Sequence, residues 1–230
     1  MKKTEEEIKK LEIASKIADD CFEYICEKIK IGMSEKEVAT LMDEYMLANG
    51  AESLSFDTIV GSGVNSAQIH STPTDKKIEN GDIVLLDFGC KYQGYCSDIS
   101  RTIFIGDITD EQKEIYNIVL NAQVIAVERI TSGILCSEAD KISRDIIKNK
   151  GYDFAHALGH GVGKEVHESP VISYKNEKDI LENNMVFTIE PGIYIENKFG
   201  IRIEDTVVLE NGKVRVLNKV TKDIIIIKGE

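Results

Sequence analysis

The chain is poor in proline, with 3 residues, and carries 17 glycines in 230, which excludes collagen-like and low-complexity architectures and leaves a folded globular protein. No apolar run approaches the roughly 20 residues that span a bilayer. The N-terminal MKKTEEEIKKLEIA mixes charges where a signal peptide needs an apolar core. A cytoplasmic, soluble protein with no membrane partner is therefore expected. The five cysteines, at 21, 26, 90, 96 and 136, include no CxxC spacing, so neither a disulfide framework nor a zinc knuckle is indicated. Reduced thiols are expected. Positive charge is in deficit as well: 28 basic against 40 acidic residues give −12, which repels nucleic acid and anionic lipid alike.

What is present is an internal repeat. GMSEKEVATLMDEYMLANGA (Gly32 to Ala51) lies over GILCSEADKISRDIIKNKGY (Gly133 to Tyr152) without a gap. Each copy reads as one amphipathic helix closed by glycine, and Ser34 with Glu37 makes a capping box. A longer helix precedes each, from Thr4 to about Lys30 and from Thr109 to about Thr131. Three strand-like blocks then recur in the same order, aligning His70 with His167, Asp87 with Glu190, and Asp98 with Glu204. The collinear order predicts a duplicated α+β fold about a pseudo-twofold axis, with helices on one face of a mainly antiparallel sheet and halves of 1–106 and 107–230.

Asp87 and Glu190 each end a continuous apolar run, which reads as a strand buried on both faces. Asp98 and Glu204 follow across turns containing Gly94 and Gly200, a spacing that suits a hairpin's return strand. A buried carboxylate must be protonated, paired with a cation or bound to a metal. Pairing with Arg101 and Arg202 is the bland alternative. If the halves pack about their axis, however, four acids meet in one pocket, and two divalent ions would offset their repulsion. His160, between two glycines, is a candidate ligand that breaks the symmetry, because Ser62 stands in the matching place. His167 and His70 read as flanking proton donors or oxyanion stabilisers, although any single histidine is also at home as an ordinary surface or core residue. His156 shares HALGH with His160, but the segment lacks the glutamate of the HExxH zinc helix. Cys90 and Cys96 flank a hairpin turn and would react only if exposed near a base.

The blocks NSAQIHSTP, VLLDFGCKYQGYCSDISRT, HALGHGVGKEVHESP, FTIEPGIY and GIRIEDTV resemble the signatures of the pita-bread metallopeptidases. That family includes methionine aminopeptidases, Xaa-Pro aminopeptidases, Xaa-Pro dipeptidases and creatinase. The resemblance implies the pita-bread fold over 1–230 as one catalytic domain, without the extra N-terminal domain of prolidase-type members. It also implies two divalent metals on Asp87, Asp98, His160, Glu190 and Glu204, with Asp98 and Glu204 bridging. Asp205-Thr206 after Glu204, Arg202 before it and Tyr194 in EPGIY are similar to the proline-specific branch. Ala157 and Lys164 depart from the usual family residues at positions that touch substrate fit rather than metal binding.

What this resemblance implies is hydrolysis of the Xaa-Pro bond in dipeptides or at the N-terminus of short peptides, by a monomer or homodimer. Glu190 would act as general base, His70 and His167 would stabilise the oxyanion, and His156, Tyr194 and Arg202 would contact substrate. The oxygen-rich donor set favours Mn²⁺, with Fe²⁺, Co²⁺ or Zn²⁺ as alternatives. A methionine aminopeptidase-type activity and a non-catalytic peptide-binding role on the same fold are the competing readings.

Overall fold

Thr4 and Glu7 close a capping box ahead of α1 (Glu5–Lys28), and Ser34 and Glu37 close another ahead of α2 (Glu35–Ala48), where the residue types demand them. α1 buries Leu11, Ala14, Ala18, Phe22 and Ile25 at helical spacing. The computed structural model describes residues 1–228. After α2 the first half continues through β1 (Ser53–Leu54), β2 (Ile59–Ser62), β3 (Ile83–Phe88), β4 (Cys90–Tyr92), β5 (Tyr95–Cys96) and β6 (Ile99–Ile105). The second half again opens with two helices and continues in strands: α3 (Asp110–Arg129), α4 (Cys136–Asn149), β7 (Gly159–Gly161), β8 (Glu168–Ile172), β9 (Val186–Ile189), β10 (Gly192–Ile195), β11 (Phe199–Arg202) and β12 (Asp205–Glu210). β13 (Lys213–Val216) and β14 (Ile226–Ile227) follow. Thr109 and Gln112 cap α3 as the first box does α1, but the residue ahead of α4 is Leu135, which has no hydroxyl to offer.

The two larger sheets carry the same inner triplet, β6–β3–β2 in one half and β12–β9–β7 in the other, all antiparallel. Each is extended at its outer edge by a strand from the C-terminal segment: β14 runs parallel to β6, and β13 antiparallel to β12. The architecture is thus α+β and mainly antiparallel, with the expected order of elements. No helix among the described residues is long and apolar enough to cross a membrane.

Hydrogen bonds stitch the halves together along β6 and the junction of β11 with β12. Glu204 N donates to Ser100 O at 3.1 Å, Thr206 Oγ1 to Asp98 O at 2.7 Å and Thr102 Oγ1 to Arg202 O at 2.9 Å. Beside this seam Ile8 and Leu11 of α1 and Tyr95 of β5 bury themselves against Val162, Val186, Val208 and Leu217. Each such side chain taken out of water stabilises by about 1.5–3 kcal/mol. The seam is what brings residues about a hundred positions apart to one place.

Candidate metal centre

Asp87 and Glu190 stand where the apolar runs end. Asp87 lies on β3 opposite Ser100, and Glu190 follows β9 directly. Asp98 and Glu204 each stand one residue before a strand, β6 and β12, rather than inside a return strand as the spacing suggested. They are 3% and 2% exposed. The ligand-capable atoms of Asp98, His160 and Glu204 lie within 4.8 Å of one another. His160 Nε2 is 3.5 Å from Asp98 Oδ2 and 3.4 Å from Glu190 Oε1. These four residues and Asp87 line one cavity of about 430 Å³.

The groups around the cluster orient it. Ser100 Oγ donates to Glu204 Oε2 at 2.7 Å, and Thr188 Oγ1 to Glu190 Oε1 at 3.1 Å. Arg202 reaches across from β11, pairing Nη2 with Asp87 Oδ2 while Nε donates to Ser100 Oγ at 2.7 Å. So the bland alternative is realised for Asp87 alone; Arg101 pairs instead with buried Asp205 at 2.7 Å. Arg202 Nη1 also donates to Tyr194 Oη at 2.8 Å, and Tyr194 Oη is 2.9 Å from His156 Nε2. A carbonyl can only accept, so His156 Nδ1, 2.9 Å from Ala157 O, carries that ring's proton and Nε2 accepts from the tyrosine.

Burial, then repulsion from the neighbouring acids, holds the Asp98 and Glu204 carboxyls well above their ordinary range. Burial pushes Glu190 up to about 8. Burial drives His160 down to about 4 and His156 to about 3, so both rings are neutral at pH 7. His160 Nδ1 donates to Gly161 O at 3.1 Å, which leaves the Nε2 lone pair directed at Asp98 and Glu190. Asp87 Oδ1 is buried with no hydrogen-bond partner among the described residues. An orphaned carboxylate oxygen, acids crowded past their tolerance and a neutral imidazole with its lone pair turned inward together fit divalent cations.

A pH consequence follows for the metal-free protein. Between the ordinary carboxylate value and about 8, folded Glu190 binds a proton that the unfolded chain releases, so stability falls as pH rises through that window. The two histidines act in the opposite sense and only below about 6.5, where the unfolded rings take up protons that the folded ones refuse. The urea midpoint of metal-free protein should therefore decrease from pH 6.5 to pH 8, and a flat profile would contradict this electrostatic picture.

The strand registers correct one alignment. Gly61 pairs with Leu85 on β3, and Gly161 with Phe187 on β9, so with Asp87 matched to Glu190 the counterpart of His160 is Gly61, not Ser62. A Cβ at Gly61 would lie 3.0 Å from Asn65 O and Ser66 Cα, in the short 3₁₀ turn Gly63–Ala67. That turn fills the space where the second half keeps its imidazole.

His70, His156, His167 and Arg202 all line the cavity, and the centroid of the His167 ring lies 4.3 Å from that of His160. Tyr194 does not; it stands behind Arg202 and His156. Sequence reasoning missed Ser100 and Thr188, which a hairpin register and a period-two count back from Glu190 could have located. It also missed the apolar wall of Phe56, Ile59, Ile69, Pro73 and Val166, for which local sequence carries no signal. A buried pair fixes the His156 segment: Arg144 Nη2 donates to His156 O at 2.7 Å, while Asp140 Oδ1 accepts from Leu158 N at 3.0 Å. The cysteines take no part. Cys90 and Cys96 are buried, and burial pushes the Cys90 thiol up to about 11.

Known proteins share this fold. The Xaa-Pro dipeptidase of Pyrococcus horikoshii is 48% identical over 225 residues, covering 97% of this chain and 64% of that protein. Among solved structures, an Xaa-Pro dipeptidase from Bacillus anthracis superposes with a TM-score of 0.96 at 47% identity, covering 98% of this chain and 64% of that one. An X-Pro aminopeptidase from Thermotoga maritima superposes at 0.95 with 45% identity and the same coverages, 98% and 64%. The chain thus spans a little under two thirds of the length of these relatives. The fold they share with it is the pita-bread arrangement that the resemblance of the signature blocks implied. With residues 9–211 matching the family pattern and the inward-facing acids at the seam of the two halves, the chain belongs to metallopeptidase family M24.

Proposed function

We propose that this chain is the catalytic unit of a dinuclear metallopeptidase that hydrolyses the Xaa-Pro bond in dipeptides or at the N-terminus of short peptides. The observation that carries this reading is the cluster of four carboxylates and one neutral imidazole around a single cavity, in a chain 48% identical to an Xaa-Pro dipeptidase. Asp87, Asp98, His160, Glu190 and Glu204 would hold two divalent cations. The hard, oxygen-rich donors favour Mn²⁺. When bound, such ions polarise a carbonyl and supply a nucleophile from water at neutral pH.

The chain's own groups do the rest. Glu190, whose Oε1 accepts from Thr188 Oγ1, takes the proton of the attacking water and returns it to the departing amine. His70 and His167, on opposite halves of the repeat, donate hydrogen bonds to the developing oxyanion. Arg202 holds Asp87 in place and, through Tyr194, fixes the His156 ring that faces the substrate; Tyr194 thus acts from behind. The apolar wall of Phe56, Ile69 and Val166 suits the ring of a proline better than a charged side chain.

The test is a peptide panel in defined Mn²⁺: Ala-Pro, Ala-Pro-Ala and Met-Ala-Ser. One or both proline peptides should be cleaved at least about 100-fold faster than the methionyl one. Preference for Met-Ala-Ser would move the chain to the methionine aminopeptidase branch. Tight peptide binding with no cleavage would make it a binding member of the fold.

A further inference from the structure

Glu35, the first residue of α2, is completely buried and takes no part in the chemistry proposed above. It forms no ion pair among the described residues. Its two oxygens collect donors instead: Ser62 N at 2.7 Å and Ser62 Oγ at 2.8 Å on Oε1, Thr74 N at 2.9 Å and Thr74 Oγ1 at 2.6 Å on Oε2, with Asn65 Nδ2 at 3.0 Å from Oε1. Burial alone would raise its pKa, but these bonds outweigh burial and hold the carboxyl below its ordinary value.

The anchored residues bracket a loop. Between Ser62 and Thr74 lie Ile69, His70, Ser71, Thr72 and Pro73, which form one wall of the cavity. Within the same loop Ile69 O accepts from Arg202 Nη1 at 3.2 Å, and Ser66 Oγ accepts from Gly200 N at 2.9 Å. The wall is therefore tied to α2 on one side and to β11 on the other.

We propose that Glu35 is a positioning residue for peptide binding, a buried acceptor that seats the 62–74 loop and with it His70, Ile69 and Pro73 against the acid cluster. The proposal rests on the peptidase reading. Its chemistry is specific, because both carboxylate oxygens face backbone N–H groups, which can only donate. In Glu35→Gln, whichever way the amide is turned, its NH₂ opposes the N–H of Ser62 or of Thr74. One end of the loop must let go, while no metal-ligand candidate is touched.

The experiment uses the full chain loaded with Mn²⁺. In Glu35→Gln, KM for an Xaa-Pro dipeptide should rise about ten-fold, more than kcat falls, because a displaced wall weakens substrate positioning. Mn²⁺ affinity by calorimetry should stay within about two-fold of wild type. Amide exchange should accelerate in 63–74 and not in β3 or β9. Thr74→Val, which removes one hydroxyl donor and keeps the N–H, should change KM and loop exchange in the same direction by less, and it carries the test if Glu35→Gln does not fold. An active wild type whose variant keeps KM within two-fold overturns the proposal. So does a loss of Mn²⁺ affinity or of β3 protection in step with KM, which is the signature of general destabilisation. A wild type that cleaves no Xaa-Pro peptide instead overturns the peptidase reading on which this role depends.

Discussion

Glu190→Ala should lower kcat by about 10³-fold or more and leave the protein folded. The side chain has two proposed tasks, holding a cation and carrying the proton of the attacking water. General-base removal alone typically costs about 10²–10⁴ in rate. Folding should not suffer, because the carboxyl stands in a cluster whose members repel one another, and Burial pushes it up to about 8. At pH 8 the metal-free variant should have a urea midpoint equal to or above that of wild type, since the alanine relieves charge as well as contact. Asp98→Ala should behave alike, because its carboxyl is more deeply buried and equally crowded. Near-normal turnover in either variant would refute the assigned roles. An inactive variant that has unfolded, seen by circular dichroism, would leave Glu190 a structural residue.

Exhaustive chelation should abolish hydrolysis, and stoichiometric Mn²⁺ should restore it. The same ions should raise the unfolding temperature, because the proposed site exists only where the folded seam assembles all five donors. At a free concentration a hundred times Kd the gain is about 2.7 kcal/mol for each site. Loading should also flatten the fall in stability between pH 6.5 and pH 8, since the compensated acids no longer need protons. Calorimetric titration should reach two ions per chain, while a stoichiometry of one would reduce the site to Asp98, His160 and Glu204, whose donor atoms lie within 4.8 Å of one another. A peptidase that survives complete chelation would require a different chemistry altogether.

Much of this is legible in the amino-acid sequence. The capping boxes at Thr4, Ser34 and Thr109 announce three helix starts, because a hydroxyl and a side-chain carbonyl three residues on satisfy the same end groups in any context. The apolar runs ending at Asp87 and Glu190 announce buried strands carrying acids. The alignment of Ser62 with His160 failed by one residue because a comparison of short sequence blocks cannot see strand register, which the ladder with β3 decides. Tyr194 is assigned to substrate by its motif, and only the tertiary structure shows its hydroxyl joined to Arg202 and His156.

By itself, then, the amino-acid order determined the repeat, its helices and strands, and the chemical identity of the acids and the histidine, all properties that depend on residue type and local spacing. Tertiary structure decided which oxygens are orphaned, which arginine takes which acid, and what walls the cavity. Those outcomes turn on contacts between residues about a hundred positions apart, such as Ser100 with Glu204 and Asp87 with Arg202. No local pattern encodes such pairings; only the packed seam between the halves does.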